Sequence, residues 1–393
     1  MPNPEQPMQE NLADVKEPQQ QNVEGLEIAK TPELEKVVDA ANVLAGKIER
    51  DEKVTKGEVD DLREALGQMK LNVAGIEMTL EEAKTKGKFY IEFLQGKFEH
   101  HSELTILTPE MAQIIADSHR WFSFPKVTEI SDETANILGR HDRDLNLSGL
   151  TSLTDSAARA LARHKGNMSA LGLSGLTEIS DEAARWWGMN RNSRLFFNGV
   201  TTLSGVAAAR LSAHESDLYL EKLVALPEDV AEGLGRFGGY EYNTHILDLS
   251  GVEDLSAESA KNLVSNPYKK INLGLKNISD EVAEHLGKLK GDLHLESLTE
   301  ISLEAAEGLS HIEGALVLSG LTSISDDIAK KLAKVKGALN LQGLKELTPD
   351  VASALATHTD EDVLWLPKLP DTPKEVEEIL ADKTKKRLVM WWK

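Results

Sequence analysis

The sequence predicts an α/β repeat solenoid, a horseshoe with an inner parallel β-sheet and an outer layer of helices, and three regularities carry that expectation. An alanine returns eleven times, at Ala112, Ala135, Ala158, Ala184, Ala208, Ala231, Ala260, Ala283, Ala306, Ala329 and Ala352, at intervals of 23 to 29 residues, which is the period of a stacked array. Leucine pairs at i and i+2, such as Leu145/Leu147, Leu171/Leu173, Leu293/Leu295, Leu316/Leu318 and Leu339/Leu341, precede the alanines. Between pair and alanine stands a hydroxyl residue: Ser131, Thr154, Ser180, Ser204, Ser256, Ser279, Ser302, Ser325 or Thr348.

Each regularity has a local cause. A period of two puts both leucines on one face of a short strand and points the residue between them the other way. The turn Gly149-Leu150 follows in the clearest copy, LNLSGLTSLTDSAARALARHKG over residues 145–166. The hydroxyl is an N-cap. Acidic pairs such as Asp181-Glu182 and Asp280-Glu281 then fall in the first helical turn, where the partial positive charge of the helix start favours them, and Pro109 and Pro349 fill the first helical position, which tolerates proline. The helix, expected over about Asp155 to His164, is too short to persist alone. It must stack on neighbours, with Ala158 and Leu161 facing inward and the methyl allowing close approach. Strands spaced about 4.8 Å apart and helices that prefer about 8–10 Å are expected to curve the array, with a sheet roughly 50 Å long on its concave side.

Leu145-Asn146-Leu147-Ser148-Gly149-Leu150-Thr151-Ser152-Leu153-Thr154-Asp155 resembles the leucine-rich repeat family, and within it the cysteine-containing subtype with leucine where that subtype has cysteine. The unit also looks like the alanine-rich variant found in bacteria. The resemblance covers roughly residues 102 to 366. It implies a protein-binding surface on the concave sheet and carries over no catalytic residue.

The flanks read differently. Residues 1–30, rich in Gln, Glu, Pro and Asn, are expected to be a disordered tail. Residues 31–100 are expected to form a helical hairpin, with one helix marked by Leu34, Val37, Val38, Ala41, Leu44, Ala45 and Ile48 and a second by Val59, Leu62, Leu66, Met69, Val73 and Ile76. That hairpin is either an N-terminal cap or a docking and self-association module within residues 31–80. The solenoid of about eleven repeats occupies residues 101–362, and residues 363–393 form a C-terminal capping repeat that ends in Leu388-Val389-Met390-Trp391-Trp392.

Composition narrows the function. With no cysteine, disulfides, zinc–thiolate sites and thiol nucleophiles are all excluded. A formal charge of −21 argues against nucleic acid and anionic membranes as partners. No basic, apolar leader and no run near 18 apolar residues occurs, so a cytoplasmic location is expected. No phosphate loop, H-E-x-x-H pair or calcium loop is present. His141, His164, His214 and His358 recur at one repeat position, which elsewhere holds Phe237, Leu289, Ile312 and Val335. A slot that exchanges imidazole for aliphatic groups is a packing site, so neither a metal nor a catalytic residue is assigned, and no cofactor is expected.

Candidate contacts come from strand positions free of packing duty. Most are small and polar, and against them Phe196 and Tyr219 stand outward on successive strands, with Asp248 on the next and His294 two further on. The longest interval, from Ala231 to Ala260, inserts a loop bearing Tyr240 and Tyr242, which either touches a partner or packs back on the irregular junction. Exposed aromatics on a rigid sheet dominate interface energetics. The expected function is a non-enzymatic protein-binding scaffold that uses the concave face. The alternative is a structural, self-assembling element driven by the N-terminal helices.

Overall fold

The computed structural model describes residues 70–73, 76–79, single positions at 93, 96 and 98, and residues 101–383 apart from 165–169, 191–193, 239–244, 267–268, 359–362, 368 and 370–372. The chain divides into two compact units, Met1–Lys97 and Phe98–Lys393.

In the first unit, β1 (Lys70–Val73) pairs antiparallel with β2 (Ile76–Thr79), with Val73 opposite Ile76. This corrects the expected second helix, whose pattern ran through Val73 and Ile76. Only Ala74-Gly75 separates the two strands in sequence, the length a tight hairpin takes, and the β-branched Val73, Ile76 and Thr79 suit strands. The tail over 1–30 and the helix expected from Leu34 to Ile48 lie outside the described residues, as does the closing run 388–392.

The second unit is an open parallel sheet of eleven strands in strictly sequential order: β3 (Phe122–Ser123), β4 (Leu145–Asn146), β5 (Ala170–Gly172), β6 (Arg194–Phe196), β7 (Leu218–Tyr219), β8 (His245–Leu249), β9 (Lys269–Leu273), β10 (Leu293–His294), β11 (Leu316–Val317), β12 (Leu339–Asn340) and β13 (Leu364–Trp365). Register aligns the first inward apolar residue of every unit: Phe122, Leu145, Leu171, Leu195, Leu218, Leu247, Ile271, Leu293, Leu316, Leu339 and Leu364 form one row. All are buried. Most strands are two or three residues long and make few ladder bonds, each worth about 0.5–1.5 kcal/mol net. Burying one leucine is worth about 1.5–3 kcal/mol, so the leucine rows dominate the array.

A short helix follows each strand. Pro109–Ala116, ahead of β3, opens the series, and Lys374–Lys383 closes it. All eleven repeat alanines are at most 1 % exposed, as the stacking argument requires. The nine hydroxyls expected as N-caps each accept the backbone N–H three residues on, and Thr108 does the same for the first helix. Pro227, which lacks a hydroxyl, leaves one helix without a side-chain cap. The helices are shorter than expected. Asp155–Leu161 ends at the inward leucine, and Arg163 and His164 then bond back to Ala160 and Leu161 in tight i→i−3 turns. Small residues set the helix spacing: a Cβ on Gly233 would lie 2.6 Å from the Ala209 nitrogen and 2.7 Å from the Ala208 Cβ. No helix among the described residues is long and apolar enough to cross a membrane.

Candidate functional site

The register that aligns the leucines also aligns the residues pointing away from the helices. Ser123, Asn146, Gly172, Phe196, Tyr219, Asp248, Asn272, His294, Val317, Asn340 and Trp365 form a single row across the open face. The structure therefore brings Phe196, Tyr219, Asp248 and His294 into one line. Phe196 and Tyr219 occupy equivalent positions on adjacent strands, so their rings sit about one strand spacing apart. Their centroids are 4.4 Å apart with planes at 4°. Both are half-buried, each presenting part of a rigid surface. Burial raises the Tyr219 hydroxyl above the usual phenol range, and Asp217, Asp248 and Glu221 push it the same way against Arg194.

Asp248 and His294 are less open than their row position suggests. Asp248 is buried; its Oδ1 accepts the Ser250 N–H at 3.0 Å and its Oδ2 accepts from Asn272 Nδ2 at 2.7 Å. Asn146 and Asn340 close the same two-residue turn with Ser148 and Gln342. His294 is half-buried, with Nδ1 3.3 Å from Glu296 Oε1, and desolvation followed by the charge of Lys270 holds it below the ordinary imidazole range. Tyr240 and Tyr242 lie outside the described residues.

Beside the aromatic pair is a hollow of about 370 Å³ that the sequence reading missed. Trp121, 65 % exposed, stands on one side and Phe196 on the other, with Asn146, Gly172 and Ser174 between them and Asp144 at the rim. It exists because the intervening strands carry small side chains. A Cβ on Gly172 would lie 2.9 Å from Asn146 Oδ1, so glycine lets the asparagine fold down over it. The signal was present: Phe122 and Phe124 take the places of the leucine pair, which puts Trp121 at the start of a strand. Phe122, Phe124, Trp121 and Phe98 pack with His101 in an aromatic cluster at that end of the sheet.

Strands with paired apolar residues, each followed by a short helix, define the architecture. The fold is an α/β repeat solenoid. No protein-family model matches the chain, and no curated protein matches it. Among solved structures, a crystal structure of the Rad7 and Elc1 complex in yeast is similar at a TM-score of 0.40 and 15% identity, over 90% of this chain and 91% of that one.

The recurring histidines of the solenoid lie in its interior. His141, His164, His214 and His358 are all buried, as are Phe237, Leu289, Ile312 and Val335 in the same slot. His164 Nε2 donates to the Arg143 carbonyl at 2.8 Å, His214 Nδ1 to the Asn190 carbonyl at 2.5 Å and His358 Nδ1 to the Ala333 carbonyl at 3.2 Å. Desolvation pushes His141 down, and His164 and His214 down to about 4. Asn190 fills the slot between His164 and His214 and donates to the Ala162 and His164 carbonyls. Lys269 was not singled out by the sequence. It is fully buried and donates to the Gly235 carbonyl at 2.6 Å and the Phe237 carbonyl at 2.8 Å, at the end of the helix Glu228–Gly235. Its burial lowers its pKa to about 7. Trp187 is core, edge-on to Phe197 at 5.6 Å. No cluster of three or more metal-ligating side chains occurs among the described residues.

Proposed function

We propose that this chain is a non-enzymatic scaffold that captures a partner protein on the open face of its sheet. The carrying observation is the Phe196–Tyr219 stack, two parallel rings 4.4 Å apart, partly exposed, on strands whose inner faces are locked by leucines. Rings already ordered lose little entropy on binding, and aromatic anchors of this kind concentrate interface energy. The serines, aspartates and histidines that a hydrolase would need are instead used as helix caps and buried packing groups, which supports the non-enzymatic reading. We also read the repeat as the cysteine-containing subtype with leucine in the cysteine place: Leu150, Leu176, Leu298 and Leu321 all fill that place and are buried.

The test is affinity capture from an extract of the source organism with the wild-type chain, Phe196→Ala and Tyr219→Ala as baits, each also melted thermally. A co-purifying protein lost from both variants, with melting temperatures little changed, supports the reading. Equal capture by all three overturns it, and a large drop in melting temperature with unchanged capture reassigns the rings to the core.

A further inference from the structure

The hollow between Trp121 and Phe196 has a chemistry of its own. Trp121 and Phe196 flank it, its floor is small and polar, and Asp144 is an exposed carboxylate at its rim. Strand spacing puts β3 and β6 roughly 14 Å apart, so the gap takes an extended chain or a long side chain laid across the intervening strands. The charges on the face around it are mostly acidic. By strand alternation the open face carries Asp144, Asp217, Glu221, Asp248, Asp292 and Glu296 against Arg194 and Lys270. The acids sit beside the row that holds Phe196 and Tyr219, within a chain of net charge −21.

Resting on the scaffold reading, we propose that the occupant of this hollow is a basic extended segment of the partner protein, with an arginine or lysine side chain lodged between Trp121 and Phe196 beside Asp144. A cation over an aromatic face is attracted by the ring quadrupole, most strongly for tryptophan, and a nearby carboxylate adds charge attraction. The chain makes the same contact within itself: the Arg159 guanidinium lies 4.5 Å from the Trp186 ring centroid on the helical side. Acidic groups along the rest of the face extend the complementarity beyond the one side chain and steer a basic segment toward the sheet.

The experiment measures fluorescence anisotropy of three labelled decapeptides with the full chain: alternating arginine and serine, the same with citrulline for arginine, and the same with glutamate. The arginine peptide should bind, with affinity falling as salt rises, and the other two should bind at least about tenfold more weakly. Trp121→Ala and Asp144→Asn should each weaken the arginine peptide by about fivefold. The exposed Glu377→Gln, on the closing helix, should leave it unchanged. The proposal is overturned if the citrulline peptide binds as well as the arginine peptide, if no peptide binds, or if Glu377→Gln weakens binding as much as Asp144→Asn, which would show attraction to net charge alone. These failures leave the scaffold reading standing as long as partner capture still depends on Phe196 and Tyr219. Loss of that dependence sinks the scaffold reading whatever the peptides do. Trp121 is largely exposed, so its variant should fold, and an unchanged melting temperature confirms that the affinity change is local.

Discussion

Ser180 Oγ donates to Asp155 Oδ1 at 2.5 Å while accepting the Ala183 N–H at 3.0 Å, so one hydroxyl caps its own helix and ties it to the helix before. Thr154 with Asp132, Ser204 with Asp181 and Ser302 with Asp280 repeat the contact at the same distance. The ladder is interrupted where Gly205 and Pro227 supply neither carboxylate nor hydroxyl, and the contact recurs at Ser302. Ser180→Ala is expected to cost about 1 kcal/mol in urea unfolding, as a lost cap does. Asp155→Ala should cost less, because the cap survives. Non-additivity in the double variant measures the bond between repeats. If Ser180→Ala costs the same with and without Asp155, the aspartate contributes nothing to stacking.

The alanine slot is a steric test of the same stack. Ala283 is fully buried between strand and helix layers, and Ala283→Leu adds volume with nowhere to go. Overpacking of this kind should cost roughly 1–3 kcal/mol, read as a lower thermal midpoint. A variant that melts like the parent would show the slot to be loosely packed.

What was legible followed from rules that each repeat obeys by itself. The Leu145/Leu147 spacing, the cap at Thr154 and the buried methyl of Ala158 are local, so the sheet, the helices and the line of Phe196, Tyr219, Asp248 and His294 could be read from register alone. What was missed depends on neighbours. The hollow at Trp121 needs glycine and serine two strands away, the commitment of Asp248 needs Asn272 on the next strand, and Lys269 satisfies a helix end 34 residues earlier. Val73 and Ile76, three apart, fit the helix period, whereas Leu71/Val73 and Ile76/Met78 alternate at the strand period, and pairing within β1–β2 decides it.

Acid should loosen the repeats through the histidine slot. His164 and His214 are pushed down to about 4 from 6.5, so below the ordinary value the unfolded chain takes protons that the folded chain refuses. Stability is therefore full above about pH 6.5 and falls as the pH drops toward 4. The displacement corresponds to roughly 3 kcal/mol per histidine at the lower limit. Urea midpoints measured from pH 7 to pH 4 should show the decline, and His164→Leu with His214→Leu should flatten it, since Leu289 already fills that slot elsewhere. An equally steep acid limb in the double variant would place the titration on other groups.

Lys269 predicts the opposite limb. Its pKa is lowered from 10.5 to about 7 by burial, so between those values the unfolded chain carries a proton that the folded chain has shed. Stability must then rise with pH across that window, and the rise belongs to one side chain. Lys269→Met keeps the length and apolar character of the stem, removes the titrating group and leaves the Gly235 and Phe237 carbonyls without their donor. Its stability at pH 7 depends on whether relief of desolvation exceeds the loss of those bonds, but its slope does not. Urea midpoints from pH 7 to pH 10 should climb in the parent by more than in Lys269→Met. Parallel profiles for the two would mean that the amine keeps its charge in place, held by the carbonyls of the helix end.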